Sequence, residues 1–323
     1  MTKIKVLCGF RERAGGPWFE YAPGWVFTQD RDCRDYDWLV VFDEMPVARE
    51  ELACPREHTI LATWEPVSIK SYSRAYTRQF GHLLTNRPPE AERHSHYFLG
   101  RGYYLWFNGR MRYAETASAV MPRKDRIVSA VCSAKQMRHT SHGARYRLVS
   151  RLAREVPGFD WFGFGVKPME KKYEAMDAYR YHVAVENHIG AHHWTEKLAD
   201  AFLSECLPFY AGDPAIGEVF PAESVIPIPI DDPDEAVRIV RSAIAAGEYE
   251  KRREAVLEAK RLVLTKYNFW AQVIELIKAS EGETAEPDGE RGYIYDRHVL
   301  RRRNPLAAAE DLWLHLKRGL GVR

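Results

Sequence analysis

Tyr181-His182-Val183-Ala184-Val185-Glu186-Asn187-His188-Ile189-Gly190-Ala191-His192-His193-Trp194-Thr195-Glu196-Lys197, followed at a helix's length by Leu207-Pro208-Phe209-Tyr210-Ala211-Gly212, is the stretch on which the organisation of this chain turns. Residues 181–185 are an apolar run of strand length. The run stops at Glu186-Asn187, a loop containing Gly190 follows, and Thr195-Glu196 offers an N-cap and an acidic first turn. A second apolar run then begins at Leu207. Strand, loop, helix and strand make one unit of a parallel sheet, with the Glu186-to-Lys197 loop at its carboxyl edge. Lys197 stands out there, because the positive end of a helix dipole disfavours a cation. A bound diphosphate would reverse that cost, since the ammonium and the free backbone N–H groups converge on one anion. The alternative is a Lys197 that bends to solvent or pairs with Glu196 or Asp200, at a cost of only ~0.3–1 kcal/mol.

Outward from this stretch the same alternation recurs. Runs at Arg126–Cys132, Phe159–Phe164 and Val225–Ile230 and helical patterns near Ser141–Val156, Asp234–Ala246 and Glu248–Lys278 complete a second domain, taken as 121–285. Ile4–Gly9, Trp38–Phe42, Ile60–Trp64, a helical Ser68–Phe80 and His82–Thr85 form a first, taken as 1–120, whose aromatic-rich end from Arg87 to Pro122 reads as loops and linker. The expectation is α/β, two Rossmann-like domains facing each other across a cleft, with ligand at the carboxyl ends of the strands. The 323 residues are enough for two cores, and 46% hydrophobic with 28% charged residues is globular composition. No run of 18 apolar residues spans a bilayer, and no secretory leader is visible after Met1, so a cytoplasmic protein is expected. Five scattered cysteines, none in a CxxC pair, argue against a disulfide framework or structural zinc.

Net charge is +2, but residues 291–323 hold eight Arg or Lys against three acids, leaving the remainder acidic. This basic tail, 286–323 after a polar linker Glu281–Arg291, carries Leu306, Ala309, Trp313, Leu316 and Leu320 on one helical face, with Lys317 and Arg318 beside it. It suits a peripheral contact with an anionic membrane on its inner face, or a terminal helix packed on the body; nucleic acid is not expected as a partner.

Two further residues invite chemistry. Arg145 lies on the same helical face as Leu148, Val149, Leu152 and Val156, so its guanidinium needs an anion, either phosphate or an internal carboxylate. Glu65 ends the run Ile60-Leu61-Ala62-Thr63-Trp64 before Pro66, where a carboxylate serves as a general base or as a cap for the next helix. His188, His192 and His193 have no Cys partner, and no metal site is expected. Asp231-Asp232-Pro233-Asp234 reads as a helix start with Asp234 as N-cap, and Gly163 and Gly165 as turn glycines able to approach a nucleotide.

Val185-Glu186-Asn187, Trp194-Thr195-Glu196-Lys197 and Leu207-Pro208-Phe209-Tyr210-Ala211-Gly212 together resemble the α-1,3-fucosyltransferases of glycosyltransferase family 10. Val131-Cys132-Ser133 with Arg145, and Ala62-Thr63-Trp64-Glu65, extend the resemblance over about residues 60–278. It implies a GT-B fold, GDP-fucose as donor, a glycan hydroxyl as acceptor, transfer with inversion, and no obligatory cofactor, a divalent ion being at most stimulatory. Arg145 and Lys197 look like the diphosphate pair, Glu186, Asn187 and Glu196 like sugar and nucleotide contacts, and Glu65 like the base. His193 stands where the family often has Tyr, so the chain departs from the pattern there. A GT-B transferase for another nucleotide sugar, a non-catalytic binding homologue and a hydrolase using Glu65 with Glu186 are the rival readings.

Overall fold

The structure is a computed structural model that describes residues 1–9, 19–67, 69–92, 94–101, 109–110, 113–134, 142–280 and 292–319. Ser68, Ser141, the aromatic stretch 103–107, the linker 281–291 and Leu320 lie outside the described residues, as do the side chains of Lys317 and Arg318. The chain divides into two compact units, Met1–Gly100 with Gln272–Arg323, and Arg101–Ala271.

In the first unit, strands β1 (Thr2–Cys8), β2 (Phe19–Ala22), β3 (Trp25–Thr28), β4 (Trp38–Phe42), β6 (Thr59–Thr63), β7 (His82–Thr85) and β8 (Tyr97–Leu99) form one sheet in the order β2-β3-β1-β4-β6-β7-β8, with β5 (Arg49–Glu51) outside it. Only the β2–β3 pair is antiparallel; the other neighbours are parallel. Trp38–Phe42 and Thr59–Thr63 are buried at every position, the burial expected of central strands covered on both faces. The segment expected as loop after Arg87 contributes β8 instead: Leu83, Leu84 and Thr85 pair with Tyr97, Phe98 and Leu99, a three-residue strand too short for periodicity to reveal. The helical pattern expected over 68–80 yields one turn, Arg74–Thr77. Tyr72, Tyr76 and Phe80, spaced by four, all enter the core, so packing rather than a continuous helix explains their spacing.

The basic tail belongs to this unit. Strand Tyr293–Tyr295 pairs antiparallel with β5, Ile294 is fully buried in the core with Leu39, Leu61 and Tyr76, and helices Arg297–Arg303 and Pro305–Gly319 follow. The two compact units part after Gly100 and Ala271, whereas the sequence reading places its domain boundaries after 120 and 285.

The second unit has a wholly parallel sheet, β10-β9-β11-β12-β13, from β9 (Arg126–Val131), β10 (Phe159–Phe162), β11 (Tyr179–Val185), β12 (Leu207–Ala211) and β13 (Ile226–Pro227). Helices His142–Glu155, Glu196–Leu203, Pro233–Ala245 and Arg253–Thr265 connect and cover it. The expected long helix 248–278 is broken, because the buried Asn268 amide donates to the carbonyls of Val263 and Leu264 and its oxygen accepts from Ala271 N–H, ending one helix and starting the next. Asp232, not Asp234, caps the helix after β13, with Pro233 at the first helical position, where its missing N–H costs nothing. Both units are Rossmann-like α/β layers, the fold class expected from the sequence.

Candidate active site

The carboxyl end of β11 runs into Glu186, which continues the ladder through its N–H to Ala211 O at 2.9 Å. Glu186 is fully buried. Its two carboxylate oxygens accept from Thr195 N–H at 2.9 Å and Thr195 Oγ1 at 2.6 Å, so it ties the strand end to the N-cap of helix Glu196–Leu203. Thr195 Oγ1 in turn accepts from Lys197 N–H, which satisfies one free donor of the first turn. Gly212, at the end of β12, makes room for this: a Cβ there would lie 2.8 Å from Glu186 Cγ and 2.1 Å from the Tyr210 hydroxyl oxygen.

Lys197 sits in the middle of this arrangement. Its Nζ lies 2.9 Å from Thr195 Oγ1, 3.1 Å from Glu196 Oε1 and 3.4 Å from Glu186 Oε2. Burial alone would lower its pKa, but Glu186 and Glu196 overcome that and hold it above its ordinary value, so the ammonium is charged. Glu196 moves the opposite way: burial raises its pKa, yet Lys197 and then Lys172 carry it down to about 2. Lys197 thus pairs with Glu186 and Glu196; Asp200, the other expected partner, is bound at 2.5 Å by Lys172 instead.

Arg145 is the charge left over. It is 8% exposed on helix His142–Glu155, donates from Nη1 to Asn187 Oδ1 at 2.6 Å, and buries Nε without a hydrogen-bond partner. Among the described residues it makes no ion pair, so a neutral amide is its only polar partner and the expected internal carboxylate is missing. Its charge also depresses the pKa of Lys197, so the two cations feel each other across the end of β11. Two neighbouring partly or wholly buried cations, joined through adjacent residues Glu186 and Asn187, have the charge and donors that a polyanion would need. His193 is buried with its ring 5.2 Å from that of His188, and neighbouring His192 takes a left-handed φ of 61°. Among the described residues no group of three His, Cys, Asp or Glu is placed to hold a metal ion.

In the first unit, Glu65 follows β6 through Trp64 and is partly buried. Its carbonyl accepts two hydrogen bonds from Arg87, from Nε at 2.9 Å and Nη2 at 2.8 Å. Arg87 is itself buried, ion-paired to Glu92 at 2.5 Å, and bonded to Lys70 O. Asp43, at the end of β4 with φ 59°, accepts from the Tyr72 hydroxyl and from Trp64 N–H. Burial raises its pKa against the pull of Lys70 and Tyr72. Asp43 and Arg87 were not singled out in the sequence, although each follows an apolar run as Glu65 does; the same positional logic finds them.

No protein-family model matches the sequence, and no curated protein is a detectable relative. The chain is similar to a solved α1,3-fucosyltransferase with GDP-fucose, at 15% identity over 89% of this chain and 93% of that one, with a TM-score of 0.48. A further α1,3-fucosyltransferase structure gives 13% identity over 84% and 91%, with a TM-score of 0.46. A DNA-modifying β-glucosyltransferase gives 9% identity over 87% and 99%, with a TM-score of 0.45. Likenesses this distant say nothing of donor, acceptor or linkage, and the chemistry rests on the residues themselves.

Proposed function

We propose that this chain is an inverting glycosyltransferase that transfers fucose from GDP-fucose to a hydroxyl of a glycan acceptor. The observation that carries the reading is Arg145: a buried guanidinium facing a neutral amide with one nitrogen unpartnered, beside a charged Lys197 at a helix N-terminus. Lys197 is balanced by Glu186 and Glu196, whereas among the described residues Arg145 meets no carboxylate, and a diphosphate supplies that anion. GDP and fucose are supported by the resemblance of the motif Val185–Lys197 to the family 10 fucosyltransferases. An α-1,3 or α-1,4 linkage and a role in surface polysaccharide or lipopolysaccharide synthesis belong to the same proposal. So does a cytoplasmic, peripheral location, which the exposed Leu306, Leu312 and Leu316 beside Arg302 and Arg303 favour.

In the reaction, the acceptor oxygen forms a bond to the anomeric carbon as the bond to the β-phosphate oxygen breaks. GDP departs with the electron pair, and the acceptor proton passes to the Glu65 carboxylate, a step worth about 10²–10⁴-fold in rate. Arg145 and Lys197 stabilise the charge growing on the diphosphate, each by ~2.7–4 kcal/mol if they match known oxyanion donors. Glu196 and Asn187 keep the two cations in place and reach the sugar and nucleotide. Glu186 acts through Thr195, and because both its oxygens are committed there it is ill suited to serve as one of a hydrolase's paired carboxylates.

The test is a thermal-shift panel of GDP, UDP, CDP and GDP-sugars at matched concentration. Ligand at a hundredfold excess over Kd adds ~2.7 kcal/mol, which moves Tm by roughly 5–10 °C. Stabilisation by GDP and GDP-fucose that disappears in Lys197→Ala supports the reading. Indifference to every nucleotide overturns it.

A further inference from the structure

Phe164 is 81% exposed and stands in the loop that leaves β10. Among the described residues of the second unit no other aromatic side chain is exposed, and a ring left in water is a cost the fold carries without return. The loop that presents it is well tied. Phe164 O accepts from Ala134 N–H at 3.0 Å, Gly163 N–H donates to Lys167 O at 2.9 Å, and Trp161 Nε1–H donates to Cys132 O at 2.8 Å. Gly163 has φ 142°, and a Cβ there would lie 2.4 Å from Cys132 O, so only glycine lets the loop lie this close to the end of β9.

The position of the ring matters as much as its exposure. The order β10-β9-β11 is parallel throughout, so Phe164 is on the same carboxyl edge as Asn187 and Lys197. Strands are ~4.8 Å apart, which puts the end of β10 ~10 Å from the end of β11, the reach of a nucleoside from its phosphates to its base. Toward β12 the rings of Tyr210, Trp194 and Phe220 are 3%, 2% and 3% exposed and offer no face.

We propose that Phe164 is the stacking platform for the nucleobase of the donor. The inference rests on the diphosphate site at Arg145 and Lys197 and adds to it the direction in which the nucleotide lies, from the end of β11 across β9 to the end of β10. Stacking accepts any base, so Phe164 supplies affinity and favours a purine by its larger overlap.

Calorimetric binding of GDP and of inorganic pyrophosphate to the full chain separates the two claims. Phe164→Ala weakens GDP about tenfold and leaves pyrophosphate unchanged. Phe164→Trp restores GDP affinity, and Lys197→Ala weakens both ligands. Unchanged GDP affinity in Phe164→Ala, or equal loss of GDP and pyrophosphate, overturns the stacking site while leaving the diphosphate site standing. A wild-type chain that binds neither ligand overturns both.

Discussion

Arg145 shows how a single side chain can be poor for the free protein and useful to a bound one. A buried guanidinium with an unpartnered Nε costs stability, and its one polar contact among the described residues, Asn187 Oδ1 at 2.6 Å, is with a neutral group. Arg145→Met should therefore leave the melting temperature of the ligand-free protein equal or higher. GDP affinity should fall by about ten- to a hundredfold, since hydrogen bonds to charged groups are worth ~1.5–3 kcal/mol. Arg145→Lys should recover only part of the affinity, because an ammonium lacks the planar fork. Melting curves with and without GDP check both halves; a lower melting point with affinity retained would make Arg145 a packing residue. At this scale the sequence was informative about position. Periodicity alone placed Arg145 on the buried face, and the dipole argument marked Lys197. It named Glu196 as a partner of Lys197 but not Glu186, because Glu186 and Thr195 meet only once strand and helix are docked.

Strand β11 carries its own titration. His182 is 3% exposed, its Nδ1 lies 2.9 Å from Ser129 Oγ, and that hydroxyl donates to Ala175 O, so Nδ1 carries a proton and donates to Ser129. Burial, with Lys172 and Lys124 adding repulsion, drops its pKa from 6.5 to about 3. The unfolded chain takes up a proton below pH 6.5 and the folded one does not. Stability from this residue is thus complete above pH 6.5 and is lost as pH falls from there toward 3, by up to ~1.4 kcal/mol per pH unit. His182→Asn keeps a donor to Ser129 and should flatten that part of the curve. Urea denaturation of both proteins at several pH values between 4 and 7 measures it, and parallel slopes would mean that His182 is protonated in the fold. The strand was legible as an apolar run; the burial of a histidine within it depended on Ser129, supplied by the neighbouring strand β9.

At the scale of the molecule, the chain closes its first unit with its last residues. Ile294 is fully buried, Leu300 packs against the same core, and Arg301 Nε reaches the buried Asp311 at 3.0 Å. Ile294→Ala should therefore cost ~2–5 kcal/mol, the range for emptying a core position. Chemical denaturation followed by the fluorescence of the first unit would detect it, and a loss below about 0.5 kcal/mol would return the tail to the status of an appendage. Of the two readings of the tail, a membrane-facing helix or a terminal helix packed on the body, the packed one is found, with Ala307 buried and Glu310 accepting from Arg74 N–H, while Leu306, Leu312 and Leu316 stay exposed. The strand Tyr293–Tyr295 that ties it down could not be read, because a three-residue strand has no period and its partner β5 lies more than two hundred residues away in sequence.

The sequence by itself determined the α/β alternation, the βαβ unit around Glu186 and Lys197, and the helical face of Arg145, because each follows from spacing, caps and apolar runs within one or two elements. Tertiary structure alone decided that Glu186 is spent on Thr195, that Glu186 joins Glu196 in balancing Lys197 while among the described residues Arg145 meets no carboxylate, and that the strand Tyr293–Tyr295 packs into the first unit. Those outcomes are set by which groups lose water together, and burial of that kind is a property of distant segments brought into contact.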